Sequence, residues 1–148
     1  MSGTLKIAGT TLATNPTNSK VEIDDAVNGK GIAKAWVNFD GTNAFNPNPS
    51  TTAIRDSFNI TSVLDKGAGW YKANFSTNMS DTNYAVVGSA HPDDASNSYG
   101  GHFIIGRHSA NRFFTPPLEV DGVTFTTCRN DQSTYTDSPF ICLAIFGS

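Results

Sequence analysis

From residue 33 onward, apolar and polar residues alternate in short runs that are bounded by Gly, Pro, Asn or Asp. Alternation with a period of two is typical of strands that bury one face, and these four residue types are typical of turns. No run of ten or more residues carries apolar side chains at helical spacing. The pattern predicts an all-β fold, an antiparallel β-sandwich of jelly-roll-like form. The predicted strands cover residues 33–39, 53–64, 70–75, 84–89, 101–107, 120–128 and 139–147.

Two segments between these strands carry clear turn or loop signals. Residues 65–69 contain Gly67 and Gly69 and predict a hairpin between the second and third strands. Residues 43–52 contain Pro47 and Pro49, which cannot donate to a central ladder, so this segment is predicted to be a loop.

The first 31 residues have a different pattern. Their apolar residues form two short clusters, Leu5 with Ile7 and Val21 with Ile23, separated by a stretch rich in Thr and Asn. Such a segment can form one or two short strands but not a core of its own. We expect residues 1–31 to be an extended arm or connector. Residues 32–148 are expected to form one sandwich domain, which suits a chain of 148 residues.

The last predicted strand is apolar on both faces. Ile141, Leu143 and Ile145 are expected to face the core, whereas an antiparallel strand normally carries polar residues on its other face. The second face needs a cover, because an exposed apolar stripe favours aggregation. We expect that cover to be another copy of the chain; the N-terminal arm or a long loop of the same chain is the alternative. The predicted oligomer interface consists of Phe140, Cys142, Ala144 and Phe146.

The bulky aromatic residues of the predicted strands are expected to supply the core of the sandwich. Each such side chain stabilises the fold by about 1.5–3 kcal/mol when it is buried. The residues with this expected role are Trp36, Phe39, Phe58, Phe75 and Tyr84.

Composition and charge exclude several classes of protein. Charged residues make up only 16% of the chain, whereas Ser, Thr and Asn together supply about 45 positions. The ten Lys and Arg residues are scattered singly and the net charge is −3, so no basic stripe is available for nucleic acid. No apolar run approaches the roughly 20 residues of a membrane span, and the N-terminus lacks the pattern of a signal peptide.

The two cysteines leave two interpretations open. Cys128 and Cys142 do not form a metal-binding motif with each other or with a neighbouring His. They are expected to be reduced, half-buried thiols. The alternative is a disulfide between neighbouring C-terminal strands, provided that a hairpin places the two residues opposite each other.

The sequence contains no constellation that is typical of catalysis. His102 and His108 lie about 20 Å apart along an extended strand, so they cannot share a metal ion there. Asp93, Asp94 and Asn97 could offer oxygen atoms to Ca²⁺, but the closing Glu of a calcium-binding loop is missing. Phosphate-binding and nucleophile motifs are also missing. We therefore expect a binding or structural module without enzymatic activity, cofactor or metal.

A resemblance to a known family is carried by residues 34–42, KAWVNFDGT, and 53–63, AIRDSFNITSV. It continues through residues 71–79, YKANFSTNM, and 83–90, NYAVVGSA, and covers roughly 60 of the 148 residues. These segments resemble a module that is common in tail fibers and other virion proteins of tailed bacteriophages. Family members usually have a shorter link between the first two segments, so residues 43–52 look like an insertion. The resemblance implies the head domain of a fiber or spike, typically oligomeric and usually three-fold, without catalytic residues.

The resemblance implies a bacteriophage virion structural protein, a small fiber, spike or decoration component with a role in particle assembly. Its expected partners are two further copies of itself, other virion proteins that bind the N-terminal arm, and a glycan on the host surface. Such a protein is made in the host cytoplasm and released by lysis, which agrees with the lack of a signal peptide. The alternative is a carbohydrate-binding module of a secreted bacterial protein. A small hydrolase is the least supported class.

If the domain binds a receptor, we expect the contacts to come from two loops at one end of the sandwich, residues 43–52 and 91–100. Exposed aromatic side chains on loops rich in Gly, Asn and Ser can stack on a sugar ring. The alternative role for the same residues is ordinary turn formation. The candidate receptor-contact residues are Phe45, Asn46, Asn48, His91, Asp93, Asp94 and Tyr99.

Overall fold

The computed structural model describes residues 3–7, 10–15, 22–23, 31–43, 47–91, 101–106, 116–128 and 135–147. Every regular element among these residues is a β-strand. Side chains are described from residue 31 onward. The strands are β1 (Gly3–Ile7), β2 (Thr10–Asn15), β3 (Glu22–Ile23), β4 (Ala33–Phe39), β5 (Ile54–Phe58), β6 (Ile60–Gly67), β7 (Trp70–Phe75), β8 (Ala85–His91), β9 (His102–Ile105), β10 (Leu118–Glu119), β11 (Gly122–Cys128) and β12 (Phe140–Phe146).

Two antiparallel sheets pack against each other, which confirms the predicted all-β sandwich. The four-stranded sheet has the order β5-β4-β12-β8. The five-stranded sheet has the order β10-β11-β7-β6, and β9 pairs with β11 beyond the end of β10. A separate small sheet has the order β1-β2-β3.

Aromatic rings join the two sheets in the core. The ring centroid of Tyr71 lies 5.3 Å from that of Phe39 and 5.8 Å from that of Phe125. The Tyr71 hydroxyl lies within hydrogen-bond distance of the Gly41 carbonyl, at 3.1 Å, and of an Asp137 carboxylate oxygen, at 2.5 Å. Burial and the neighbouring Asp137 carboxylate raise the pKa of Tyr71 well above its usual range. The phenol therefore stays protonated and keeps its hydrogen bond.

The sandwich has two distinct ends. At one end β4 finishes at Phe39, β5 begins at Ile54, β8 finishes at His91 and β12 begins at Phe140; we call this the loop end. At the other end β4 begins at Ala33, opposite Phe146; we call this the stem end. Both loops that were predicted to contact a receptor leave from the loop end, whereas residues 1–31 join the domain at the stem end.

The predicted strand bounds are correct for β4 and β7 but wrong for residues 53–64. These residues are divided between β5 and β6 because Asn59 has a φ of 54°, which interrupts an extended strand. The Asn59 side chain holds this break by donating to the Lys34 and Thr77 carbonyls, both at 3.1 Å. The turn of the β6–β7 hairpin is also shorter than predicted, because β6 continues to Gly67. The short strand β10 was not predicted.

The expectation that all five aromatic residues face the core is wrong for Trp36 and Phe58. Trp36 lies on the outer face because Phe39, three residues later on β4, points inward, and residues an odd number apart occupy opposite faces of a strand. Phe58 lies on the outer face because a β-bulge at Arg55 shifts the alternation of β5 by one residue. Phe58 is 55% exposed. The expectation is confirmed for the other three, Phe39, Phe75 and Tyr84.

The N-terminal strands pair with one another in the part of the chain that the structure describes. β2 pairs with β1 on one side and with β3 on the other. The expectation of one or two short strands before residue 31 is therefore too low, because the structure has three. The division into an arm at residues 1–31 and a domain at residues 32–148 stays a prediction.

A glycine at the loop end makes the fold sensitive to a single methyl group. Gly69 has a φ of 59°, and a Cβ atom there would meet the Thr127 carbonyl oxygen and would lie 2.7 Å from the Thr136 nitrogen. Gly69→Ala should therefore lower the free energy of unfolding by about 2 kcal/mol or more. The melting temperature should fall by roughly 4–8 °C, measured by circular dichroism. Gly31→Ala is the control, since a Cβ atom there would meet nothing within 4 Å. Equal melting of the two variants would contradict the role of Gly69.

Candidate functional site

The outer face of the four-stranded sheet carries an apolar row that crosses all four strands. Phe58, Trp36, Ala144 and Val87 lie next to one another in the ladders of β5, β4, β12 and β8. Phe58 is 55% exposed and Val87 is 57% exposed, whereas the two central residues are half-buried. At about 4.8 Å per strand, this apolar row spans roughly 14 Å. A continuous apolar row of this kind at the surface of a domain is typical of a contact surface.

A polar row lies beside the apolar row, two residues along each strand toward the loop end. It consists of Asp56, Asn38, Cys142 and Ser89, in the same strand order. Asp56 is the charged member, and it lies on the edge strand β5. β12 contains no charged residue, and the only titratable side chain of β8 is His91. The half of the face formed by β12 and β8 therefore presents few charges to a partner.

An open groove of about 500 Å³ lies between these two rows. It extends over β4, β12 and β8, so it excludes the edge strand β5. Its outward-facing lining residues are Trp36, Asn38, Val87, Ser89, Cys142 and Ala144.

At the loop end of the same face, Phe140 is held from both sides. The Arg55 guanidinium carbon lies 4.6 Å from its ring centroid, and the His91 ring packs edge-on from β8 at 6.3 Å. Arg55 is fixed in turn by the Pro139 carbonyl at 2.6 Å and by the Asp40 carboxylate at 3.3 Å. Arg55 does not pair with the neighbouring carboxylate of Asp56, which instead accepts a hydrogen bond from the Ser57 backbone.

The structure places all four residues of the predicted oligomer interface on this outer face. Phe140 is 53% exposed, Cys142 is exposed, and Ala144 and Phe146 are half-buried. The opposite face of β12 is buried in the core, as expected, through Ile141, Leu143 and Ile145. Of the four predicted residues, Ala144 belongs to the apolar row, whereas Phe140 lies outside that row and contacts Arg55 and His91. The interface itself stays a prediction.

Of the predicted receptor-contact residues, the structure describes only Asn48 and His91. The Asn48 side chain donates to the Asp65 carbonyl at 2.8 Å and accepts from the Asp65 nitrogen at 3.0 Å, so much of its amide is already used in binding β6. His91 ends β8 and packs against Phe140. The remaining candidates, Phe45, Asn46, Asp93, Asp94 and Tyr99, lie outside the described residues.

Neither cysteine is part of a disulfide, so the alternative of a disulfide between Cys128 and Cys142 is wrong. Cys128 is buried in the five-stranded sheet, and Cys142 is exposed on the four-stranded sheet. The expectation of two half-buried thiols is also wrong, because one is buried and the other exposed. The separation into two sheets could not be inferred from the spacing along the chain.

The other charged cluster of the described residues is a structural ion pair on the five-stranded sheet. Lys72 on β7 donates to the carboxylate of Glu119 on β10 and to that of Asp121 in the turn between β10 and β11. The hydrogen bond from Lys72 lowers the pKa of Asp121 below its usual range. Within the described ranges, no group of three or more His, Cys, Asp and Glu side chains could hold a metal ion. The same ranges contain no helix that could span a membrane.

Sequence reasoning missed Trp36, Phe58 and Val87 as members of the outer face. A signal for Trp36 was present, since its odd spacing from Phe39 excludes two inward positions on one regular strand. The orientation of Val87 depends on the register between β8 and β12, which pairs Val87 with Ala144. The orientation of Phe58 depends on a bulge, for which the sequence carries no comparable signal.

The apolar row predicts that a charge at its centre will separate the copies of an oligomer. Ala144→Asp should raise the dissociation constant of the assembly at least about 100-fold, because an unpaired carboxylate would be buried between subunits. Light scattering over a concentration series measures this change. The fold should melt at nearly the same temperature, since Ala144 faces away from the core. Thr61→Asp, at an exposed position of the other sheet, is the matched control.

The two thiols provide an internal check on the same experiment. Maleimide should label Cys142 in the dissociated chain and label it more slowly as the assembly forms, whereas Cys128 should be protected throughout by its own fold. If Cys142 reacts at one rate at every concentration and Ala144→Asp leaves the mass unchanged, this face is not the interface.

Comparison with known proteins adds no relative: no family model, no curated protein and no solved structure matches the chain. The function of the outer face is therefore inferred from its own geometry and chemistry.

Proposed function

We propose that this chain is a structural protein of a bacteriophage virion, a small fiber, spike or decoration component that works as a homo-oligomer, most simply a trimer. The observation that carries the proposal is the exposed apolar row on the outer face of the four-stranded sheet. Phe58 and Val87 at its two edges are each more than half exposed. A second copy of the chain would remove this surface from water, and each square ångström of apolar area buried contributes roughly 25 cal/mol before association costs.

The two ends of the sandwich support the same role. Residues 1–31 join at the stem end, close to Ala33, where they can bind another virion protein without obstructing the loop end. The long loops leave from the loop end, which is the natural position for a receptor contact on a projecting domain. The resemblance of residues 34–90 to fiber modules points in the same direction and is the source of the number three.

The low charge of the chain agrees with a role outside the cell. Charged residues account for 16% of the sequence, and hydroxyl and amide side chains are abundant. Such a surface binds sugars and proteins through hydrogen bonds and aromatic contacts. A host-surface glycan is therefore the receptor class that we propose for the loop end.

One observation favours the second candidate, a carbohydrate-binding module of a secreted bacterial protein. The half-buried ring of Trp36 lies in the groove with the Asn38 amide and the Ser89 hydroxyl, a combination that could bind a sugar. This second function would be favoured if the wild-type chain is monomeric and is retained on a polysaccharide column, whereas the Trp36→Ala variant is not retained.

Electron microscopy of particles tests the virion assignment. An antibody against the purified chain should label phage particles released from cultures that carry this sequence, at discrete positions on tail or head. Chains that lack residues 1–31 should still assemble with one another but should not attach to particles, because they lack the proposed arm. Label that stays with soluble secreted protein and never with particles would contradict the proposal.

Exchange of the loops tests the receptor contact. Replacing residues 43–46 or 92–100 with short Gly- and Ser-rich linkers should reduce adsorption of particles to host cells at least tenfold, since the aromatic and amide groups of the candidate contact residues are removed. The melting temperature should change by no more than a few degrees, because both segments lie between strands. Adsorption that survives both exchanges would remove these loops from the receptor site.

A further inference from the structure

We infer that the copies of this chain contact one another head to tail, with Phe58 of one copy inserted into the groove between Trp36 and Val87 of the next. The inference rests on the proposed homo-oligomer and specifies which surfaces meet. Phe58 lies on the edge strand β5, whereas the groove extends toward the opposite edge strand, β8. One sheet face therefore carries a projecting ring at one edge and a concave surface toward the other.

The sizes and positions of the two parts agree. A cavity of about 150 Å³ lined by apolar side chains holds a benzene ring, so a groove of about 500 Å³ has room for a phenylalanine side chain. Phe58 is 55% exposed, so its ring is available to a neighbour. Both parts lie on the same apolar row, so one copy meets the next without a shift along the strands.

The charges of the two edges are compatible with this contact. β5 brings Arg55 and Asp56 toward the neighbour, whereas the lining of the groove contains no charged side chain. No like charges are therefore brought together. Asp56 lies two residues from Phe58 on the same face, in the polar row, and Ser89 belongs to that row on β8. The Ser89 hydroxyl can therefore donate to the Asp56 carboxylate of the incoming copy.

Head-to-tail contact has a consequence for symmetry. The proposed trimer requires that each copy give Phe58 to one neighbour and receive Phe58 from the other, so identical copies form a closed ring; reciprocal exchange of the same two parts between two copies would form a two-fold pair instead. If the strands run along the ring axis, the stem ends of all copies lie on one side and the loop ends on the other. This places every N-terminal arm toward the particle and every receptor loop away from it.

An engineered cross-link tests the contact directly. Cys142 lines the groove and is free and exposed, so Phe58→Cys should form a disulfide with Cys142 of the neighbouring copy under mild oxidation by diamide. The same bond cannot form within one chain, because β4 separates β5 from β12 and Phe58 is level with Ala144, two residues beyond Cys142. The two Cα atoms therefore lie about 12 Å apart, beyond the roughly 7 Å limit for a disulfide. Non-reducing electrophoresis should show covalent species of three or more chains.

Two controls and a second cross-link complete the experiment. Phe58→Cys combined with Cys142→Ser, and Thr61→Cys on the other sheet, should both give single chains. Phe58→Cys combined with Val87→Cys and Cys142→Ser should restore the covalent ladder, because Val87 lies on the other side of the same groove. Thermal unfolding checks that each variant is folded, which is expected since Phe58 and Val87 are both exposed.

The possible outcomes separate this inference from the proposed function. Covalent species that stop at two chains indicate a two-fold pair and overturn the head-to-tail contact. The absence of cross-links in a chain that light scattering shows to be oligomeric also overturns it, but leaves the oligomer in place. A monomeric wild-type chain overturns the contact and the homo-oligomer together, while the labelling of particles still decides whether the chain is a virion protein.

Discussion

The structure depends on a strand that is apolar on both faces and lies inside a sheet. β12 pairs with β4 on one side and with β8 on the other, so burial of Ile141, Leu143 and Ile145 fixes the orientation of all three strands. The opposite side chains must then point outward, although they too are apolar. Trp36 and Val87 both pair with Ala144, so they point toward the same surface. One face of β12 therefore belongs to the core of the domain, and its other face belongs to the exposed apolar row.

Local irregularities of the backbone complete that surface. The bulge at Arg55 turns Phe58 outward, and the positive φ of Asn59 restores the inward orientation of Ile60 at the start of β6. Arg55 is the additional residue of the bulge, and its side chain crosses the sheet to the Pro139 carbonyl, to Asp40 and to the ring of Phe140. These contacts stabilise the loop end while the bulge exposes an aromatic ring nearer the stem end. The exposed Phe58 is thus a consequence of a well-bonded backbone feature.

The two ends of the domain differ from each other, and so do its two sheets. The five-stranded sheet buries both faces of its central strand β11, and Lys72 binds carboxylates at the surface beside that strand. The four-stranded sheet instead has an apolar row at its surface and keeps its charges on and beside the edge strand β5. This difference between the sheets suits a domain that contacts its own copies through one face. The chain enters the sandwich at the stem end, at Ala33, and both long loops leave from strands at the loop end, which suits attachment at one end and recognition at the other.

The sequence by itself determined the all-β class, the strands β4 and β7, the β6–β7 hairpin and the two apolar faces of residues 140–146, because these depend on local periodicity and turn residues. The outward position of Trp36 was also readable from its spacing to Phe39. Only the tertiary structure decided that β12 is an inner strand, that Cys128 and Cys142 belong to different sheets, and that Val87 joins Trp36 and Ala144 in one row. Strand order and register depend on contacts between residues about 50 to 110 positions apart in the chain. The position of Phe58 depends on a one-residue bulge, and a shift of one residue reverses every side chain that follows it.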